Sequence, residues 1–338
     1  MMLELAPADF DSVQPLFASM HRHQMFCAGV VSRLYPGRVF VDNRENPRTG
    51  LVVKEGMWWF LAGDPHNAAF NAALNTAIFD RTITGPKGWG GMLVCDSAAW
   101  DSAIPAIYAP RTPIKTQRLH YVCESITFDP LAFVPDGFEV RFIDQSLVDD
   151  GIDIEGSAAN ILRLRQDAPD PDLKAIGVVA LHGGRIVAHA VIDTIVQGGG
   201  DIGIYTDGAF RRRGLALATS AALIAYALSH GLHTIHWDVE SFNAGSIKTA
   251  ERLGLRLISQ HDMLNFVLDQ LKEPEAFLSR VRELYSSLRT STDKLHFIDG
   301  RVFLRTSHPL VVDDALCGRV WTFRDETPAG ALRSRAHG

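Results

Sequence analysis

The 338-residue chain, with 46% hydrophobic and 21% charged side chains, has the make-up of a globular protein long enough for two domains. Its net charge of −6 argues against a general nucleic-acid binder, whose phosphate contacts need a basic surface. The four cysteines (Cys27, Cys95, Cys123 and Cys317) form no Cys-x-x-Cys pair, no apolar run nears the roughly 20 residues of a membrane span, and early Glu4, Asp9 and Asp11 do not suit a signal peptide, so a reducing, cytoplasmic, metal-free protein is expected.

Residues 1–130 read as one α/β unit. Apolar spacing predicts a helix over 3–23, with Phe10, Val13, Leu16 and Phe17 on one side. Residues 37–42 and 50–64 read as strands, 67–81 as a helix through Phe70, Leu74 and Ile78, and 91–96 as a strand. Prolines break the pattern between 101 and 113.

Residues 119–126 alternate as a strand would, residues 130–137 form a turn-rich link and residues 138–143 a short strand, which puts the domain boundary near Pro130. In the second unit, strands at 176–181 and 185–194 flank His182-Gly-Gly184, a hairpin turn with two residues free to take positive φ. Gly198 to Gly200 form another turn before a strand at 201–206. A helix over 215–230 stops at Gly231, a strand covers 234–240, a helix over 246–253 closes at Gly254, and a last strand covers 261–268. Residues 273–338 form an extension: a helix over 274–288, a hairpin around Asp299-Gly300, and a tail from Thr327 expected to be disordered.

The stretch from Asp201 to Ala216 is the most informative. It reads as a strand, a basic glycine turn and the start of an alanine-rich helix. Such a turn offers backbone N–H groups and a positive dipole end to an anion, with Gly214 permitting close approach and Arg211, Arg212 and Arg213 adding charge. After the next strand comes Asn243-Ala-Gly-Ser246, opening a helix that ends Leu253-Gly254-Leu255.

With these blocks in this order, the chain resembles the GNAT superfamily of acyl-CoA-dependent N-acyltransferases. Arg211, Gly214 and Ala216 fill that superfamily's pyrophosphate-loop pattern Arg/Gln-x-x-Gly-x-Gly/Ala, and Asn243, Leu253 and Gly254 fill its later block, with Leu255 where Phe is usual. Pro36 to Asp42, Asn46-Pro47 and Phe60 to Asp64 look like the N-terminal part of a bacterial two-domain GNAT acetyltransferase family whose first half is a degenerate GNAT-like unit. The resemblance implies an α/β GNAT fold in two tandem units: a degenerate domain over 1–130, an acyl-CoA-binding domain over 131–272 and the extension over 273–338. The first unit has no arginine where its loop would lie, and Asp64 would repel phosphate, so it is not expected to hold acyl-CoA.

Rival motifs fail. Gly198 to Gly200 precede a strand where a dinucleotide fingerprint follows one, and no nucleoside-triphosphate loop exists. His182-Gly-Gly184 lacks the Gly-x-Ser-x-Gly elbow of an esterase. His21 and His23 have no partners at metal-ligand spacing.

The resemblance further implies acetyl-CoA as co-substrate. Its pantetheine arm would lie along Ile204, Tyr205 and Thr206, its pyrophosphate on the amides of Arg211, Arg212, Arg213, Gly214, Leu215 and Ala216, with Asn243 a further ligand and Ser246 a helix-start residue. An amine of a small molecule or peptide would attack the thioester directly, which needs a proton acceptor, a polarised carbonyl and a proton for the thiolate. The tyrosine that the superfamily often supplies falls at Ala250 here, leaving Tyr205 as the substitute acid. Asp201 and Glu240, expected at the outer ends of the two splayed strands, are the candidate bases, and Asp238 shares a face with Glu240 and His236. The missing tyrosine also admits a second reading, a non-catalytic acyl-CoA-binding or scaffold module.

Overall fold

The computed structural model describes residues 1–20, 24–54, 58–80, 82–83, 92–110, 113–166, 174–265, 271–285, 287–298, 300–312 and 315–327. It divides into two compact units, one of residues 1–117, 261–309 and 319–338 and the other of residues 118–260 and 310–318.

The first unit begins with β1 (Leu3–Glu4), a 3-10 turn (Pro7–Val13), α1 (Gln14–Phe17) and α2 (Met25–Val31), where a single helix over 3–23 was expected. The apolar spacing marked the buried side correctly at Phe10, Val13 and Phe17, but Pro7 and Pro15 divide the segment. Strand β2 (Gly37–Val41) follows, and the apolar run expected as one strand over 50–64 is a hairpin of β3 (Thr49–Lys54) and β4 (Trp58–Gly63). The polar Lys54-Glu55-Gly56 between the two apolar stretches is the sequence signal of the reversal, and reading 50–64 as one strand passed over it. Helix α3 (Ala68–Phe79), β5 (Met92–Cys95), a 3-10 turn (Ala98–Ser102) and α4 (Ile104–Tyr108) complete this stretch.

Alternation along β4 divides the unit's core. Trp59 and Leu61 pack with Phe70, Leu74, Trp100 and Tyr108 on the α3 side. Phe60 and Ala62 pack with Phe17, Val31 and Val52 on the α1 side.

The parallel pair β4–β5 is sealed at its open end. Pairing runs from Trp58↔Met92 to Leu61↔Cys95. Asp96 then donates its N–H to the Leu61 carbonyl (3.0 Å), and its carboxylate accepts from Gly63 N–H and Trp100 Nε1–H, both at 2.9 Å. In the following turn Asp64 accepts from His66 N–H, and Asn67 caps α3 by accepting from Phe70 N–H (3.1 Å). Side chains of the unit therefore take the amides of Gly63, His66 and Phe70 around this turn, and the backbone carbonyls of Arg48 and Asp64 take those of Asp64 and Asn67.

The chain crosses into the second unit within β6 (Ile114–Cys123). After a 3-10 turn (Pro130–Phe133) come β7 (Glu139–Phe142), α5 (Gln145–Asp149), α6 (Gly156–Gln166), β8 (Ile176–His182), β9 (Arg185–Val196), β10 (Gly199–Thr206), α7 (Leu215–Ser229), β11 (Thr234–Glu240) and α8 (Ala244–Arg252). The chain returns within β12 (Arg256–Asn265). Strand order is β6-β11-β10-β9-β8-β7 in this unit and β1-β2-β3-β4-β5-β12 in the first. Gly183 and Gly184, at φ +57° and +73°, make the expected β8–β9 turn. The alanines of α7 lie close against Val178, Ala190, Ile192 and Ile202, while Val179, Leu181 and Val191 face α5 and α6.

The extension contains α9 (Pro274–Tyr285) and a three-stranded sheet in the order β13 (Ser291–His296), β14 (Val302–Val312), β15 (Ala315–Asp325). Asp299, the tail from 328 and residues 266–268 of the last expected strand lie outside the described residues, as do His21 and His23.

Asp96→Ala leaves Gly63 N–H and Trp100 Nε1–H without their acceptor, so the variant should be destabilised by about 2–4 kcal/mol. Urea denaturation measures this, and an unchanged midpoint would refute the sealing role.

Candidate active site

The site forms where β10 and β11 part. The two strands pair in parallel over three residues only, Gly199↔Thr234, Gly200↔Ile235 and Asp201↔His236. Beyond that point β10 stays on β9, through Ile202↔Ile192 to Thr206↔Ala188, while β11 stays on β6, through Trp237↔Tyr121 to Glu240↔Arg118. The register between β9 and β10 shifts at Asp201/Ile202, leaving Asp193 as the extra residue of a bulge. A bulge bends and over-twists the strand that carries it, here β9, on which β10 stays after its pairing with β11 ends. The result is a V-shaped cleft with its apex at Asp201 and His236. Asp201, expected at an outer end, therefore sits at the closed end, because parallel strands part in the chain direction and only Glu240 lies beyond the parting.

A glycine turn follows Thr206. Asp207 accepts from Ala209 N–H and holds a 3-10 turn (Gly208–Phe210). Arg212 and Gly214 both adopt left-handed backbone, at φ +68° and +78°, and α7 starts at Leu215. For an arginine that backbone is strained by about 1–2 kcal/mol, a cost that concentrates at binding sites. A Cβ at Gly214 would meet nothing nearer than Pro135 at 3.8 Å, so the space over the turn is open.

Among the described residues no acceptor is bonded to the amides of Arg212 to Leu217, and Ala218 donates the first bond of α7, to Gly214. The three arginines differ. Arg211 Nε donates to the Thr206 carbonyl at 2.7 Å and braces the turn. The Arg213 guanidinium lies over Phe210 (5.3 Å) and Phe138 (6.0 Å). Arg212 has two buried guanidinium nitrogens, Nε and Nη1, without a hydrogen-bond partner among the described residues, and Thr206 Oγ1 is likewise buried and unbonded. Buried donors without acceptors beside a row of bare amides at a helix start fit an anion of phosphate character.

At the other wall, Asn243 caps α8: its Oδ1 accepts from Ser246 N–H at 3.2 Å, and Ser246 Oγ accepts from Trp237 Nε1–H at 3.0 Å. The cap starts the helix at Ala244, two residues before the expected start. Asn243 Nδ2 remains for a ligand, with no partner among the described residues. Ala250 is fully buried in the core against α7, so no acid replaces the superfamily's tyrosine there.

Strand alternation puts Ile235, Trp237 and Val239 into the core and His236, Asp238 and Glu240 on the opposite face, as expected from the two-residue period. Their neighbours on β6 are Arg118 and His120, which the sequence did not single out. Arg118 bonds Asp238 through Nε and lies 3.4 Å from Glu240. Burial pushes the Glu240 carboxyl above its ordinary pKa; the Arg118 charge opposes that shift and the Asp238 charge adds to it.

On β10, Tyr205 is 51% exposed and stacks on His189 of β9 at 5.3 Å. Burial lowers the His189 pKa, keeping that ring neutral at pH 7. Ile204 packs with the α7 core. Tyr205 and Glu240 each lie four residues from the apex, about 13 Å along their strands, at the level where the glycine turn begins.

A mixed sheet in which two central parallel strands part ahead of a glycine turn and helix start is the GNAT fold. A family model described as GNAT acetyltransferase matches residues 14–264, and the chain belongs to that family. It is 21% identical over 258 residues to the uncharacterized N-acetyltransferase YdfB of Bacillus subtilis, covering 76% of this chain and 96% of that protein. Among solved structures it resembles a GCN5-related N-acetyltransferase-like protein from Streptococcus suis (TM-score 0.53, 23% identity, 76% of this chain and 98% of that one). It also resembles a tandem GNAT protein from the clavulanic acid biosynthesis pathway (TM-score 0.51, 12% identity, 78% and 97%). At these identities the structural likeness speaks to the fold, including its tandem form.

Asn243→Ala should lower stability by about 1 kcal/mol through loss of the α8 cap, and Asn243→Ser should recover most of it. Equal urea midpoints for the alanine variant and the parent would contradict the capping geometry.

Proposed function

We propose that this GNAT acetyltransferase moves an acetyl group from acetyl-CoA to an amine of a small molecule or peptide, by direct attack within a ternary complex. The observation that carries the reading is the unsatisfied anion site: the bare amides of Arg212 to Leu217 together with the partnerless nitrogens of Arg212. Acetyl-CoA, as substrate, would bring the pyrophosphate these groups lack and an activated acyl carbon. Backbone groups of Ile204, Tyr205 and Thr206 on the parted edge of β10 would hold its arm. Asn243 Nδ2 would reach it from the other wall, and Leu215 and Ala216 would present helix-start amides. Arg211 and Arg213 support the turn from either side.

Within the cleft, the apex is where a thioester carried on an arm leading away from the turn would come to rest. Asp201 stands there. Glu240 lies at the more open end, and its raised pKa suits it to take the first proton from an arriving ammonium and pass it to solvent. Tyr205, the substitute acid by sequence, stands level with Glu240 rather than at the apex, so it is assigned to the wall of the acceptor passage, with its ring supported by His189. Cytoplasmic location follows from the same reading, since acetyl-CoA is the donor.

A second reading, a non-catalytic acyl-CoA-binding module, is favoured by one observation, the buried Ala250 in place of the acid. Release of free CoA thiol separates the two across a panel comprising an alkyl monoamine, a polyamine, an amino sugar and a lysine peptide. Turnover with any member supports the enzyme; tight acetyl-CoA binding with none supports the module.

Two predictions follow from the assignments. Asn and Asp have similar shapes and both tolerate left-handed backbone, so the pair Gly214→Asn and Gly214→Asp isolates charge. Both should fold, and the Asp variant should bind acetyl-CoA at least about tenfold more weakly than the Asn variant by calorimetry, from charge repulsion at close range. Equal affinities would remove the anion from this turn. For Glu240, a carboxylate holding its proton to higher pH should make kcat/KM climb with pH through an apparent pKa above the ordinary carboxylate range. Glu240→Gln should lose that limb and about 10²-fold in kcat/KM. An unchanged profile would exclude Glu240 as the acceptor of the first proton.

A further inference from the structure

Of the three arginines in the glycine turn, only Arg213 has a charge with no assigned ligand. Arg211 is spent on the Thr206 carbonyl and the nitrogens of Arg212 are buried, whereas Arg213 is exposed. Its guanidinium lies over the rings of Phe210 (5.3 Å) and Phe138 (6.0 Å), and among the described residues it makes no hydrogen bond and no ion pair. Asp207, the nearest carboxylate in sequence, is engaged with Ala209 N–H.

The two rings belong to a cluster. Phe138 and Phe210 meet edge to face at 6.2 Å, and His182 packs on both, 4.9 Å from Phe138 and 5.3 Å from Phe210. His182 is itself fixed, since its Nδ1–H donates to the Gly137 carbonyl at 3.0 Å. Phe138 and Phe210 pack on a small core of Ala180, Val187, Ala188 and Leu215, the first residue of α7. Stacking occupies the faces of a guanidinium and leaves its N–H groups, which lie in its plane, free for an acceptor. It also restricts rotamers that an exposed arginine would otherwise lose only on binding. Arg213 is thus a cation held beside the anion site with no anion of its own.

Strand register gives its direction. Thr206 of β10 pairs with Ala188 of β9, Ala188 with Ala180 of β8, and Leu181 with Glu139 of β7. His182, Phe138 and the glycine turn therefore share one end of the sheet, the end away from the apex at Asp201 and His236. An acyl arm that runs from the turn to the apex leaves the other end of its molecule here. In coenzyme A that end is an adenosine whose ribose carries a 3′-phosphate, a dianion additional to the pyrophosphate. Two oxygens of such a phosphate match the edge of a guanidinium.

We propose that Arg213, held against Phe210 and Phe138, recognises the 3′-phosphate of coenzyme A and so selects a donor that carries the complete nucleotide. This rests on acetyl-CoA being the donor. The amides of the turn accept a pyrophosphate equally in dephospho-coenzyme A, so only a cation set apart from them distinguishes the two. An acyl group on the phosphopantetheine arm of a carrier protein lacks the nucleotide and leaves Arg213 without its anion.

Calorimetry of the full chain with acetyl-CoA and with acetyl-dephospho-CoA, at low ionic strength, tests the proposal. Wild-type protein should bind acetyl-CoA at least about tenfold more tightly, an advantage that shrinks with added salt because the pair is exposed. Arg213→Gln removes the charge and keeps a planar group. It should lower acetyl-CoA affinity to that of the dephospho compound and leave the latter unchanged. Phe210→Leu keeps an apolar side chain on the cluster without the ring, and should lose part of the advantage with an unchanged urea midpoint. Equal affinities in the wild type would overturn the proposal. So would an Arg213→Gln variant that weakens both ligands alike, the mark of a residue that only supports the turn. An undiminished advantage in Phe210→Leu would remove the aromatic support from the account. Binding of both compounds without discrimination leaves the donor reading standing, whereas binding of neither is the failure of that reading and of the proposal with it.

Discussion

The parting of β10 from β11 after Asp201 and His236 is the constraint on which the site depends. A parallel ladder satisfies backbone groups evenly along its length, so strands that separate after three residue pairs leave N–H and C=O groups that water or a ligand must satisfy. The bulge at Asp193 of β9 lies at the place of separation. The candidate site is arranged along the resulting cleft: Asp201 and His236 at its apex, Tyr205 and Glu240 near its opening, and the strained glycine turn beyond Thr206. Because both strands remain paired on their outer sides, to β9 and β6, the opening does not require the sheet to fray.

The first unit shows the same local pattern with the opposite outcome. Its parallel pair β4–β5 is continued by Asp96, whose carboxylate takes the Gly63 amide, and the His66 and Phe70 amides of its turn go to Asp64 and Asn67. A carboxylate built into the first unit takes the Gly63 amide, whereas in the second unit no acceptor among the described residues is bonded to the amides of Arg212 to Leu217. Satisfied donors make a stable turn and an unsatisfied row makes a binding site. In this chain the two halves take one solution each.

Much of this was legible in the residues, and the gaps have physical causes. The glycine turn, its arginines, α7 with its stop at Gly231 and the Asn243 block all rest on local backbone chemistry, which sequence carries directly. The faces of β11 followed from period two. The hairpin at 50–64 had its signal in Lys54-Glu55-Gly56, a short polar break between two apolar stretches, and Pro7 and Pro15 divided a segment whose burial pattern still looked helical. Short α2 and α5, and the polar α6, carry too little periodic signal to stand out. The apex position of Asp201 depends on register with β11, and the place of Arg118 and His120 beside β11 depends on an antiparallel pairing over more than a hundred residues of sequence. Only the fold brings such residues together. A histidine two residues after an arginine on one strand, and a histidine two residues before an aspartate on another, were the available signal, and nothing in either strand alone gave it meaning.

The central claim is that one anion site, on the turn after β10, serves the cofactor of this GNAT chain. Amide hydrogen exchange followed by mass spectrometry, with and without acetyl-CoA, tests it most directly. The account predicts slowed exchange in residues 202–217 and no change in residues 58–70 of the first unit. Protection confined to residues 58–70, or no protection at the glycine turn under saturating acetyl-CoA, would contradict it.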